Sequence, residues 1–149
     1  MHKIPGLTKS TIQQLFAQSP PTRELQTAIA QTNLPDAIKG NGIALKGLTG
    51  SALSFTISTV FKNSGLPYLL IFNDKEEAAY YLNDLELLVG GKHVFFYPGS
   101  YRRPYQIEET DNANVLLRAE VLNRINSRKK PALIVTYPDA LFEKVVTRK

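Results

Sequence analysis

The stretch Gly47-Leu48-Thr49-Gly50-Ser51-Ala52-Leu53-Ser54 follows the short apolar run Ile43 to Lys46 and opens a segment in which Leu53, Ile57, Val60 and Phe61 recur at helical spacing. A strand, a glycine turn and a helix in that order begin a parallel α/β sheet, and the turn is where such a sheet binds phosphate. A working loop of the form G-x-x-x-x-G-K-[ST] wraps backbone N–H groups around the phosphates, reaches them with a lysine and sets a hydroxyl on magnesium. Here Gly47 and Ser54 hold the first and last positions, but Ala52 replaces the second glycine and Leu53 replaces the lysine. A lost charged contact of roughly 1.5–3 kcal/mol lowers nucleotide affinity at least about tenfold. The stretch reads as a degenerate phosphate loop, with no cofactor expected. Gly47, Thr49, Gly50 and Ser54 keep the turn, and Leu53 packs the helix. Two other readings stay open: a glycine turn tightened for packing, and residual anion binding by backbone N–H groups with Thr49 or Ser51.

Outward from this turn, apolar runs alternate with helical patterns, the signature of a parallel sheet. Pro67 to Phe72 predicts a second strand, continuously apolar as if covered on both faces. Asp74 and Glu77 form a capping box ahead of a helix with Ala78, Leu82, Leu85 and Val89 on one face, stopped by Gly90-Gly91. His93 to Tyr97 predicts a third strand and Pro131 to Thr136 a fourth. Between them, Val115, Ala119, Leu122 and Ile125 predict one amphipathic helical face. Pro138 favours a last helix over Asp139 to Val146, with Ala140, Leu141 and Val145 inward. Upstream, Ile12, Leu15 and Phe16 suggest a short helix, Leu25 and Ile29 a second after Pro20-Pro21, and Asn33 to Gly42 a linker.

With 149 residues, 43% of them hydrophobic, the chain can bury one core of its own or form part of a larger protein. It has no cysteine, which leaves no disulfide framework and no thiolate metal site and fits a reducing compartment. The start lacks the apolar core of a signal peptide and no apolar run approaches a membrane span, so a cytoplasmic location is expected. The net charge of +5 is uneven: Arg118, Arg124, Arg128, Lys129, Lys130, Lys144, Arg148 and Lys149 concentrate in the last third. Such asymmetry suits either a solvated face or a polyanion site.

Other chemistry is sparse. A helicase-type ATPase needs an acidic pair after an apolar strand, and the nearest match, Leu69 to Asp74, ends in a residue better suited to capping. Tyr101, Arg102, Arg103 and Tyr105 interleave aromatic rings with arginines, a composition fit for stacking on bases and contacting phosphates, or for packing the loop. Glu108, Glu109 and Asp111 favour the start of the following helix over a metal site. His2 and His93 have no second ligand at metal spacing, and Gly50-Ser51-Ala52 lacks the second glycine of a nucleophile elbow. No catalytic residue and no metal are expected.

Taken together, Gly47 to Ser51, the strand Tyr68-Leu69-Leu70-Ile71-Phe72-Asn73-Asp74-Lys75 and Leu133-Ile134-Val135-Thr136-Tyr137-Pro138 resemble the amino-terminal, UvrB-like region of the bacterial transcription-repair coupling factors (Mfd). The resemblance runs over most of the chain. It implies an α/β fold: a parallel-sheet, P-loop-like core (a degenerate helicase domain 1) over 40–149 with an N-terminal helical segment over 1–39, the core ending at or near an inserted UvrA-binding domain. It further implies a non-catalytic piece of a DNA-repair protein whose ATP- and magnesium-using motor lies elsewhere. UvrA would be bound through the domain that follows, and RNA polymerase and DNA through the parent protein, with these residues packing against other domains and no membrane involved. Two other functions compete: a divergent NTPase drawing a lysine from Lys46 or Lys75, and a basic DNA-binding module.

Overall fold

The computed structural model describes residues 8–32, 42–101, 111–127 and 130–145. The chain divides into two compact units, Met1–Gly65 and Leu66–Lys149. The boundary expected between residues 39 and 40, with nearly all of the expected linker, lies outside the described residues.

The first unit is helical. Thr8 caps α1 (Lys9–Gln18) by accepting the Thr11 N–H at 3.2 Å. Ser19 then separates it from α2 (Pro20–Thr32), which starts on two prolines where missing N–H groups cost nothing. The Ser19 hydroxyl donates to Phe16 O at 2.8 Å and to Thr22 Oγ1 at 2.9 Å, tying the two helices together. Both pack against α3 (Ala52–Ser64), and the Phe16 ring stacks on Phe55 with centroids 5.3 Å apart. Gly65, at φ 64°, ends α3 with its N–H on Phe61 O, a left-handed cap that favours glycine.

The expected first strand, Ile43 to Lys46, is absent: the segment has no ladder partner, and Ile43 and Leu45 are 45% and 46% exposed. A four-residue run becomes a strand only through a neighbour's hydrogen bonds, and Met1–Gly65 holds no other described strand to supply them.

The second unit carries the sheet. β1 (Tyr68–Ile71), β2 (Val94–Tyr97) and β3 (Leu133–Thr136) are all parallel, in the order β1-β3-β2. α4 (Lys75–Val89) leads from β1 to β2, and α5 (Asn112–Ser127) returns from β2 to the central β3. Parallel crossovers are right-handed as a rule, so two that run in opposite directions put their helices on opposite faces.

The ring contacts agree with that placement. Arg118 and Arg124 of α5 sit over Tyr97 and Phe95, while Phe72 after β1 stacks on Tyr81 of α4 at 4.5 Å. The core lies between, with Leu85, Val121, Leu133 and Val135 fully buried.

Three expectations about this unit change. β1 is not covered on both faces: the register places Leu69 and Ile71 on the α5 side with Phe95 and Tyr97, and each is 55% exposed, because α5 lies over β2 and β1 is an edge. α5 is turned by about 100°, one residue's step, from the face predicted for it. Arg118 and Val121 point inward, while Val115 and Ile125 are exposed. The last helix, α6 (Pro138–Phe142), is shorter than predicted and buries Ala140 but not Leu141 or Val145. Among the described residues no helix is long and apolar enough to cross a membrane.

Candidate functional site

In the glycine turn, Gly47 has φ 79° and Gly50 φ 52°. A Cβ at either would meet nothing within 4 Å, so backbone conformation rather than close approach calls for glycine here. Ser51 follows in helical conformation as the N-cap of α3, but its side chain does not cap the helix. The Ala52 N–H donates to Thr49 O at 3.1 Å, closing the turn on itself. That N–H is one of the donors a phosphate cradle would use. Thr49 is exposed, Ser51, Ala52 and Leu53 are half-buried, and Ser54 is fully buried, which takes its hydroxyl away from solvent. The preceding segment is not a strand, so this turn does not sit at a described strand end.

The carboxyl ends of β2 and β3 hold a denser arrangement. Arg118 of α5 donates through one terminal nitrogen to Pro98 O at 2.7 Å and Ala140 O at 3.0 Å, and its guanidinium lies 4.1 Å from the Tyr97 ring centroid. Its Nε is 3.6 Å from the Glu143 carboxylate, with side chains only 7% and 13% exposed. The same carboxylate accepts the Ser100 N–H at 2.7 Å and the Ser100 hydroxyl. Gly99 donates to the Tyr137 hydroxyl at 2.9 Å, and the Asn114 amide donates to Gly99 O at 2.9 Å. Thr136 Oγ1 donates to Tyr97 O at 2.8 Å across the central ladder. Burial pushes the Tyr97 phenol up, Arg118 works against that shift, and Glu143 adds to it.

These bonds fix Pro98 to Ser100 against α5, β3 and α6. Glu143 uses both oxygens to hold the loop and Arg118, so the cluster clamps the loop. Arg118 had counted among the surface charges of the last third; the structure buries it. The available signal was the stripe Asn114, Arg118, Val121 at helical spacing.

The remaining expected residues separate. Tyr101 is half-buried beside the clamped loop, and Arg102, Arg103 and Tyr105 lie outside the described residues, as do Glu108 and Glu109. Asp111 caps α5, accepting from Ala113 N at 3.0 Å and Asn114 N at 3.4 Å. Asp74 caps α4 through Glu77 N at 2.7 Å, and Glu77 reaches back to Asn73 N at 2.9 Å. Among the described residues no cluster of His, Cys, Asp or Glu could hold a metal ion.

Compared with known proteins, the chain is 27% identical over 92 residues to the transcription-repair-coupling factor of Rickettsia bellii (strain RML369-C). The alignment covers 61% of this chain and 8% of that protein, which makes the two distantly related. No family model matches the chain, and no solved structure matches it.

Proposed function

We propose that this chain is a non-catalytic, UvrB-like scaffold acting in transcription-coupled nucleotide excision repair, as the amino-terminal part of a coupling factor. The distant relation to a protein named for coupling transcription to repair supports the repair role, and the chain spans only 8% of that relative's length. One observation carries the non-catalytic reading: an aliphatic Leu53 at the lysine position of a turn closed by Ala52 N–H on Thr49 O. In this reading the turn is a remnant of a P-loop-like design that positions α3. ATP and magnesium act at the motor of the parent protein, UvrA is engaged through the domain that follows, and RNA polymerase and DNA through the parent protein. Tyr101, Arg102, Arg103 and Tyr105 contact DNA or another domain, and the clamp at Arg118 and Glu143 holds the base of that loop.

Equilibrium titration of the full chain with labelled ATP and magnesium tests the reading. No saturable binding is expected at micromolar nucleotide; saturation in that range would replace the scaffold with a divergent NTPase.

A further inference from the structure

The amino ends of β2 and β3 carry charges that the carboxyl-end clamp does not use. Val94 pairs in register with Leu133, so the residues entering these strands lie side by side. Lys92 and His93 belong to the 3-10 turn (Gly91–His93) entering β2, and Lys130 precedes β3 by three positions. Arg124, in the last turn of α5, lies with its guanidinium 5.3 Å from the Phe95 ring centroid. Two exposed lysines and a half-buried arginine therefore share this end of the sheet with His93, and all three act on its imidazole. Among the described residues none of these three cations has a carboxylate partner, and Arg124 Nε is buried with no hydrogen-bond acceptor.

We infer that Lys92, Arg124 and Lys130 form a binding surface for the phosphate backbone of duplex DNA at the amino end of the sheet. Like-charged groups held together without counter-charges lower their mutual repulsion by taking up an anion. Phosphate is read by such side chains without base contacts, so the binding is independent of sequence. Protein interfaces are depleted of lysine and centred on apolar anchors, whereas the aromatic ring here, Phe95, lies under Arg124. The inference does not depend on the scaffold reading, since a nucleotide-binding domain could use the same surface. It also differs from the aromatic-basic loop at Tyr101, which follows the opposite strand end.

Anisotropy of a labelled duplex of about 20 base pairs, titrated with the full chain at about 50 mM and about 200 mM salt, tests it, since each phosphate contact contributes about 0.9 to the slope of log affinity against log salt. Lys92→Gln with Lys130→Gln changes only exposed side chains and is expected to lower that slope by about 2 and the affinity about tenfold or more. Adding Arg124→Gln is expected to lower both further, with circular dichroism confirming the fold; the lysine pair alone decides if that variant unfolds. Absence of duplex binding by the unaltered chain at the lower salt overturns the inference. So does an unchanged slope in the lysine pair. Polyglutamate that competes with the duplex at equal charge concentration also overturns it, in favour of an acidic protein partner.

Discussion

The two ends of the three-stranded sheet treat positive charge in opposite ways. At the carboxyl end Arg118 is buried and matched by Glu143, two carbonyls and the Tyr97 ring; at the amino end Lys92, Arg124 and Lys130 share a surface with no carboxylate among the described residues. One helix, α5, supplies an arginine to each end. Charge at the first end holds the fold together, and charge at the second is free to meet a partner. Composition treats the two arginines alike, but burial separates them.

Removing one partner from the carboxyl end should break the contrast most severely. Glu143→Leu leaves Arg118 buried without its counter-charge and is expected to cost about 3–5 kcal/mol, read as a shift in the urea midpoint. Combining it with Arg118→Met should recover much of that loss, because two apolar side chains need no pairing. A double variant as unstable as the single one would mean that the Arg118 bonds to Pro98 and Ala140, rather than the ion pair, carry the stability.

A carboxylate exposed at the same end sharpens the comparison by separating charge from burial. Asp74 follows β1 and caps α4 from solvent, so Asp74→Ala should cost about 0.5–2 kcal/mol by chemical denaturation. A loss as large as that of Glu143→Leu would contradict the view that burial sets the scale.

What the sequence makes legible follows the same division between local and distant causes. The cap at Asp74 and Glu77, the break between the first two helices at Pro20-Pro21 and the inward Ala78 and Leu85 of α4 depend on residues a turn or less apart, and the structure has them. Whether Ile43 to Lys46 pairs, whether Leu69 and Ile71 are covered, and which way α5 turns depend on neighbours far along the chain. Periodicity misplaced α5 because it treats arginine as outward, although Arg118 finds buried acceptors contributed by residues 20 or more positions away. In the candidate site, the glycines marked the turn, since positive φ demands them. Its closure by Ala52 N–H, a choice among acceptors, left no trace in residue types.

The smallest expected effect belongs to the amino end and concerns protons. Burial, then Lys92, Arg124 and Lys130, hold the His93 imidazole below its ordinary value of 6.5, so the charges acting on it from the turn, from α5 and from the approach to β3 are all positive. Above that value the ring is neutral in both folded and unfolded chains and adds no pH dependence. As pH falls through it, the unfolded chain takes up the proton more readily, so folding stability declines until the folded-state value is passed. Melting temperatures followed from pH 7.5 down to about 5 should therefore drop less in His93→Gln than in the unaltered chain. Lys92→Gln with Lys130→Gln should fall between them, because burial remains after the two charges are gone. If the lysine pair instead tracks the unaltered chain, desolvation alone sets the His93 shift; the lysines then stand too far from the ring to make the amino end one concentrated patch of charge.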